Sequence, residues 1–312
     1  MDKQIDYQVL SGNNLKKTNS KRQISLAGLS VYLWILPSVI LVIIIVFIPI
    51  LELFRTSFSE VSRAGIVKGL NGFRNYTGLF KDGTFLMVLK NTLIWTVVVV
   101  GVSTVLSMGI AHLLNQKFFG RSTVRAAIIF PWATSLIITA SMWKWIFDYN
   151  YGTLNLILMN LHIIDKNFYW LASPSTAFPV VMWAGIFDTM PFTTIVILAG
   201  LQAIPAVLYE SANIDGANGF GKFAHITLPM LKQPLTVSTV LNIIYVFNSF
   251  PIIWTITRGG PLNQTDTAVT YLYKLAFQVN KIGPSAAVSV IIFIILLAFS
   301  ILYVSIALRR ED

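Results

Sequence analysis

One stretch of the sequence comes close to a phosphate-binding loop. Residues 216–222 read Gly-x4-Gly-Lys, a spacing in which backbone N–H groups and a lysine can hold the phosphates of a nucleotide. Such a loop continues with Ser or Thr, whose hydroxyl binds magnesium, but this chain has Phe223 at that position. The stretch also stands between two apolar segments instead of between a buried strand and a helix. We therefore expect no ATP or Mg²⁺ on this chain, and we assign the glycines to a turn.

Other catalytic chemistry finds little support in the residue types. The chain has no cysteine, which excludes disulfides, thiolate metal sites and cysteine nucleophiles. Its three histidines, His112, His162 and His225, are too dispersed to suggest a zinc site. A membrane-embedded enzyme would need clustered His, Asp and Glu side chains or a nucleophile with its base. The sequence has neither, so we expect no catalytic residue and no metal site.

Asp188 is a carboxylate well inside an apolar segment, where a charge is costly and therefore indicates a function. Two interpretations stay open: structural pairing, for example with a basic residue of a partner chain, or a position on a substrate path. A proton-coupled carrier would need several such groups, and Asp188 stands alone.

A polar stripe follows further along the chain. Asn242, Tyr245 and Ser249 recur at i, i+3 and i+7, with Asn248 beside them, so a continuous helix would present three of them on one face. Amides and hydroxyls can bind sugar hydroxyls, and an aromatic ring can pack on a sugar. The same groups also form hydrogen bonds between membrane helices. Both interpretations stay open for this stripe.

The elements that must position these residues are membrane helices. Hydrophobic residues make up 55% of the 312 residues and charged residues only 12%, against about 25% in soluble proteins. A bilayer core needs roughly 20 apolar residues of helix. The segments that qualify are 29–51, 91–114, 126–147, 177–202, 235–257 and 282–308. The sequence therefore predicts an all-α membrane protein with about six transmembrane helices, flanked by tails 1–28 and 309–312.

Three features of these segments need interpretation. Pro37, Pro131, Pro191 and Pro251 would kink or interrupt their helices. Residues 167–209 contain four prolines and could hold one span or two; we place one. The net charge of +10 does not indicate nucleic-acid binding, because the basic residues are scattered between apolar segments without forming a basic stripe.

The polar segment between the fourth and fifth spans has the pattern of a helical hairpin. Residues 206–215 favour a helix, and Gly216, Gly219 and Gly221 can form a turn. Phe220, Phe223 and Ile226 then recur at helical spacing, which gives an apolar face. Such a hairpin beside a membrane would fit a groove on a partner protein.

The spacing E-x-A-x3-G-x9-I-x-L-P in this segment resembles the signature loop of permeases of binding-protein-dependent ABC importers. The matching residues are Glu210, Ala212, Gly216, Ile226, Leu228 and Pro229, and Asp215 and Phe220 lie within the same loop. One position departs from the family, because Ser211 stands where alanine is usual.

A second stretch narrows the resemblance. Residues 247–250 (Phe-Asn-Ser-Phe) and 257–261 (Thr-Arg-Gly-Gly-Pro) are similar to the first permease of the carbohydrate-uptake branch, the maltose and glycerol-phosphate type. The chain lacks the extra helices and large external domain of the maltose permease, so it resembles the compact six-helix form.

The resemblance implies a complete assembly around this chain. A second homologous permease and a separate ATP-binding cassette ATPase, which carries ATP and Mg²⁺, would join it, and an extracellular solute-binding protein would deliver a sugar. Residues 206–229 would be the cytoplasmic coupling loop, in a bacterial plasma membrane with both termini cytoplasmic. The alternative is a secondary transporter or channel for small polar solutes. It would show inverted repeats and several buried charges, which the sequence lacks.

Overall fold

The computed structural model describes residues 26–308, so most of the predicted N-terminal tail and the whole predicted C-terminal tail lie outside the described range. Fifteen α-helices are described within it. They are α1 Leu26–Val42, α2 Ile48–Ser57, α3 Arg74–Lys81, α4 Gly83–Asn115, α5 Arg121–Ile129, α6 Leu136–Ile146, α7 Thr153–Asn160, α8 Pro174–Ala203, α9 Ala206–Ile214, α10 Gly219–Lys222, α11 Leu228–Met230, α12 Lys232–Phe247, α13 Pro251–Ile256, α14 Ala268–Tyr273 and α15 Ile282–Leu308.

Short irregular segments and one β-hairpin complete the described part. Three π-helical segments, Ile43–Phe47, Phe223–Thr227 and Lys274–Gln278, and one 3₁₀ segment, Phe130–Ala133, continue or join helices. Strands β1 Ser59–Val61 and β2 Val67–Leu70 pair antiparallel and were not predicted. The chain divides into two units, Met1–Glu52 and Leu53–Asp312. The first contains α1, its π-helical continuation and the start of α2, and the cavities and the hairpin described below belong to the second.

Four described helices are long and apolar enough to cross a membrane: Trp34–Ser57, Gly83–Asn115, Pro174–Ala203 and Ile282–Tyr303. Two further pairs qualify only if each bent pair is one span. Arg121–Ala133 and Leu136–Ile146 meet at 99°, and Gly219–Met230 and Lys232–Phe247 meet at 63°. The described part therefore has four spans by this criterion, or up to six.

The predicted segments 126–147 and 235–257 are each broken near the proline that is predicted to kink or interrupt them. The first is interrupted by the 3₁₀ segment that contains Pro131 and by extended backbone at Thr134. In the second, α12 ends at Phe247 and α13 begins at Pro251. Proline explains both breaks, because it has no N–H and its ring clashes with the preceding helical turn. By contrast, the segment 177–202 lies within one helix, α8, which continues through Pro179 and Pro191.

Close packing of α4 against α8 forms the centre of the described fold. Trp95 of α4 is 1% exposed and donates a hydrogen bond through Nε1 to the Val246 carbonyl oxygen of α12, at 2.8 Å. A Cβ added at Gly185 of α8 would lie 2.5 Å from the Trp95 ring. Because lipid tails are as apolar as the side chains, the hydrophobic effect does not drive membrane helices together. Small residues stabilise such pairs instead, since they allow the two helices to pack closely. Gly185 therefore fixes the distance between the two helices.

Candidate functional site

A cavity of about 470 Å³ lies between α8, α12 and the 3₁₀ segment of the bent α5–α6 pair. Its wall is formed by Trp132, Asp188, Thr189, Phe192, Leu241, Asn242 and Tyr245. Pockets that bind small ligands span roughly 300–1,000 Å³ and combine aromatic walls with a few polar groups. This cavity has that size and that composition.

Asp188 and Tyr245 form the polar contact of this cavity. The Tyr245 hydroxyl donates to Oδ2 of Asp188 at 3.1 Å, which joins α12 to α8. Tyr245 is 49% exposed and Asp188 is half-buried, so both reach the open space. Within residues 26–308, Asp188 forms no ion pair, and the ion pair between Lys274 and Asp266 lies elsewhere.

Asn242 has a different role from its neighbour Tyr245. It is 3% exposed, and its Nδ2 donates to the Thr193 hydroxyl of α8 at 2.8 Å. Thr193 in turn donates to the Thr189 carbonyl oxygen at 3.0 Å. This is the hydrogen bonding between helices that the sequence left open, and it sets the register of α12 on α8.

The other two residues of the stripe do not join the cavity. The expectation of one continuous face fails because α12 ends at Phe247, so Ser249 no longer follows its helical direction. The side chain of Asn248 donates to the Ile244 carbonyl oxygen at 2.9 Å at the helix end. Ser249 is 7% exposed, and its hydroxyl has no hydrogen-bond partner among the described residues.

Three large side chains of the cavity were not singled out from the sequence: Trp132, Phe192 and Leu241. Trp132 is 51% exposed and stacks against Phe192, with ring centroids 6.2 Å apart. Pro131, predicted to interrupt its helix, was the available indication, because the bend it causes brings Trp132 to the cavity.

Residues 206–230 form the predicted hairpin of two short helical arms. The first arm, α9, ends with Gly216 at φ +74°, a left-handed conformation that glycine adopts without strain. The Ala217 N–H donates to the Ala212 carbonyl oxygen at 2.9 Å, and the Gly216 N–H donates to that of Asn213 at 3.1 Å. This pair of bonds is the Schellman arrangement that ends a helix. It explains why glycine stands at position 216 of the loop.

Side chains hold the two arms together. Lys222 donates to Oδ1 of Asn213 at 2.7 Å, and the hydroxyls of Tyr209 and Thr227 are 2.8 Å apart. Asn218 caps α10 by accepting from the Gly221 N–H at 2.7 Å. Gly219 and Gly221 thus lie in the second arm, and their assignment to the turn is wrong.

The predicted apolar face of the hairpin is divided in two. Ile226 is half-buried against the cluster formed by the ends of α4 and α8, whereas Phe220 is 79% exposed. Ile214, which was not singled out, is 87% exposed at the end of the first arm. The remaining loop residues are exposed or half-buried: Glu210, Ala212, Asp215, Leu228 and Pro229.

A second, polar cavity of about 630 Å³ lies between α3, α14 and the start of α15. In its wall, Oδ2 of Asp82 accepts a hydrogen bond from the Tyr271 hydroxyl at 2.9 Å. Burial disfavours the charged form of Asp82, but the hydrogen bonds from the Thr84 N–H and from Tyr271 outweigh it, so the pKa of Asp82 lies below its ordinary value. Burial and the neighbouring Asp82 raise the pKa of Tyr271.

The Thr-Arg-Gly-Gly-Pro stretch, residues 257–261, belongs to the loop between α13 and α14, which hydrogen bonds hold in place. Asn91 of α4 donates to the Gln264 carbonyl oxygen at 3.0 Å, and the hydroxyls of Thr257 and Thr265 are 2.7 Å apart. Leu262 is 82% exposed at the tip of this loop.

The fold and the cavity define a helical membrane protein with a polar opening between its helices, a construction typical of transport components. Residues 103–311 match the family model described as "binding-protein-dependent transport system inner membrane component", and the chain belongs to this family. The family inferred from the spacing of residues 210–229 is therefore confirmed. The predicted all-α membrane fold is confirmed at the level of four to six candidate membrane helices.

Named relatives cover nearly the whole chain. A probable ABC transporter permease protein of Brucella suis is 46% identical over 90% of this chain and 97% of its own length. The trehalose/maltose transport system permease protein MalF of Thermococcus litoralis is 35% identical over 96% of this chain and 99% of its own length. A crystal structure of a bacterial ABC transporter involved in the import of the acidic polysaccharide alginate has the same fold. Its TM-score is 0.79 at 23% identity, covering 92% of this chain and 97% of the solved chain. This chain is a multi-pass permease component.

Proposed function

We propose that this chain is one of two homologous permeases that together form the sugar path of an ABC importer in the bacterial plasma membrane. The observation that carries the proposal is the polar, aromatic-walled cavity of Trp132, Asp188 and Tyr245 within a fold of this family. The substrate class is supported by the Thermococcus litoralis relative, which is named for trehalose and maltose. An extracellular solute-binding protein delivers the sugar to the outer opening.

ATP and Mg²⁺ are bound by a separate ATP-binding cassette ATPase. Phe223 stands where a phosphate-binding loop needs a hydroxyl, and this supports the assignment. The energy of ATP therefore reaches the sugar path through contacts between subunits. Coupling of this kind is reciprocal, so delivery of sugar outside must also change the affinity of the ATPase for its ligands inside.

The hairpin of residues 206–229 is the coupling loop, and it faces the cytoplasm. Phe220 and Ile214 support this role, because both are large apolar side chains exposed on arms that hydrogen bonds hold rigid. Buried in a groove of the ATPase, they would be removed from water. With the hairpin between the fourth and fifth of six spans, both termini are cytoplasmic.

Within the path, Asp188, Tyr245 and Trp132 contact the sugar. Asn242 sets the register of α12 on α8, as its hydrogen bond to Thr193 supports. Asn248 and Ser249 belong to the break between α12 and α13 and act on the path through its shape.

Uptake of radiolabelled trehalose and maltose into vesicles that contain the whole importer tests the function. We expect uptake only with ATP inside and with an intact ATPase. A variant ATPase that binds but does not hydrolyse ATP is the control, and it should abolish uptake without changing the amount of complex. Uptake driven by an ion gradient in vesicles that lack the ATPase would contradict the proposal and favour a secondary transporter.

The side of the hairpin is tested with single cysteines, since the chain has none of its own. In vesicles that carry the permeases without the ATPase, which would otherwise cover this side chain, Phe220→Cys should react with a membrane-impermeant maleimide only when the vesicles are inside-out. Leu262→Cys, which is equally exposed, is the matched control and should react only in intact spheroplasts. Labelling of Phe220→Cys from outside would overturn the proposed topology.

A further inference from the structure

The cavity between α8 and α12 carries an uncompensated formal charge within the described chain. Of the seven residues that form its wall, Asp188 is the only one that ionises to a charge near neutral pH; the others are aromatic, aliphatic, amide or hydroxyl side chains. The group that Asp188 does contact is the hydroxyl of Tyr245, which donates at 3.1 Å and is neutral, so it does not cancel the charge of the carboxylate.

This arrangement suits a ligand that donates hydrogen bonds. An ionised carboxylate is purely an acceptor with about four lone-pair sites, and Tyr245 occupies one of them. The remaining sites can accept from two adjacent hydroxyl groups of a sugar. Trp132, half exposed beside Phe192, offers an aromatic face for the C–H side of the same ring.

The same carboxylate disfavours a ligand that carries a negative charge. In a cavity that is only partly water-filled, two like charges a few ångströms apart repel more strongly than in bulk water. A sugar acid or a sulfonated sugar in contact with Trp132 would bring its charge close to Asp188, and no described basic residue in the wall offsets this.

We propose that Asp188 is the charge-selecting residue of the path, so that this permease passes neutral sugars and disfavours sugars with carboxylate or sulfonate groups. The inference rests on the proposed function, because it concerns the substrate class of the same cavity. It assigns Asp188 to the path and rejects the alternative of a structural pair with a basic residue of the partner permease.

The charge of the cavity is measurable without knowing the natural sugar. Leu241 lines the cavity and is 50% exposed, so Leu241→Cys places one thiol there in a cysteine-free chain. The whole importer in vesicles is treated with a cationic and with an anionic methanethiosulfonate, and labelling of this subunit is followed on gels. We expect the cationic reagent to react faster, and Asp188→Asn to lower the cationic-to-anionic rate ratio on the order of three- to ten-fold.

Two matched controls isolate the charge from other effects. Asn is isosteric with Asp and can still accept from Tyr245, so Asp188→Asn removes the charge while keeping the shape of the wall. Tyr245→Phe removes the hydrogen bond but keeps the carboxylate, and the rate ratio at Leu241→Cys should stay high. At Leu262→Cys, in the outer loop, the ratio should not change when Asp188 is replaced.

A second readout separates this inference from the proposed function. The same vesicles are tested for protection of Leu241→Cys by methyl glucoside and by methyl glucuronide, which differ in one carboxylate. Methyl glucoside should protect the thiol better, and Asp188→Asn should remove the difference.

The outcomes of these measurements are distinct. An unchanged rate ratio after Asp188→Asn would mean that a cation of the partner permease neutralises the carboxylate, and the inference would be overturned even if ATP-driven sugar uptake is intact. If ATP-driven sugar uptake is absent but Asp188→Asn clearly changes the cationic-to-anionic rate ratio, the proposed function would be contradicted and the charge of the cavity would be established. Equal protection by both glycosides would also contradict charge selection.

Discussion

Gly216 ends the first arm of the hairpin, and replacing it should weaken coupling between ATP hydrolysis and transport. Its φ of +74° lies in the left-handed region, and an added Cβ would meet nothing within 4 Å. The whole cost of a substitution therefore comes from the backbone conformation and none from a clash. A left-handed residue with a Cβ costs about 1–2 kcal/mol, and β-branched side chains lie at the upper end.

This cost can be converted into a population. One to two kcal/mol changes an equilibrium by a factor of about 5–30. Gly216→Ala should therefore raise the fraction of opened hairpin about five-fold and Gly216→Val by more. Gly216→Asn should have little effect, because asparagine tolerates the left-handed conformation. If residues 206–229 couple the subunits, sugar uptake should fall in the order Asn, Ala, Val at equal expression.

Hydrogen exchange gives the direct structural measurement. The Ala217 N–H, which is bonded to the Ala212 carbonyl oxygen, should exchange faster in the same order. Gly219→Ala is the matched control: Gly219 lies in α10 without a positive φ and also has nothing within 4 Å, so uptake and exchange should be unchanged. If Gly216→Val exchanges and transports like the unaltered protein, the left-handed turn is not required and the reasoning fails.

Two further predictions concern packing and pH. Gly185→Ala should destabilise the complex by about 1–3 kcal/mol, because the new methyl group meets the buried Trp95 ring. The control is Gly101→Ala, where the added methyl group has open space. A melting temperature of Gly185→Ala equal to that of the control would refute this prediction. The hydrogen bond from the Tyr271 hydroxyl lowers the pKa of Asp82. The stability that this bond adds is therefore present above a pH of about 3.9, the ordinary pKa of Asp, and is lost as the pH falls below that value. Asp82→Asn should therefore weaken the fall of the melting temperature as the pH drops below about 3.9, and an unchanged slope in that range would contradict the assignment.

The hairpin could be predicted from the sequence because its determinants are local. Helix formers up to residue 215 and a glycine at 216 describe one arm and its end without any knowledge of the rest of the chain. The same holds for the helix breaks at Pro131 and Pro251, since proline acts on its own turn.

The cavity could not be predicted in detail because it depends on contacts that are distant in sequence. The bond between Tyr245 and Asp188 joins residues 57 positions apart, and it requires a particular register of α12 on α8. Hydropathy does not encode that register, since both helices are apolar on most sides. The start of α4 at Gly83 instead of residue 91 has a different cause: hydropathy ends the span at the charged Lys90, although a helix continues beyond the membrane as long as its backbone bonds are made.

The length of α4 has a mechanical consequence. Its 33 residues form one rod of about 50 Å, whereas the hydrocarbon core is about 30 Å thick. One end begins beside Asp82, which is bonded to Tyr271 of α14, and the other carries Leu114, which packs with Leu231 and Ile226 near the hairpin. Because the rod is rigid, a tilt of about 5° around one end displaces the other end by roughly 4 Å. A rotation of this size about the end near the hairpin would thus move the end beside Asp82 by more than the length of a hydrogen bond.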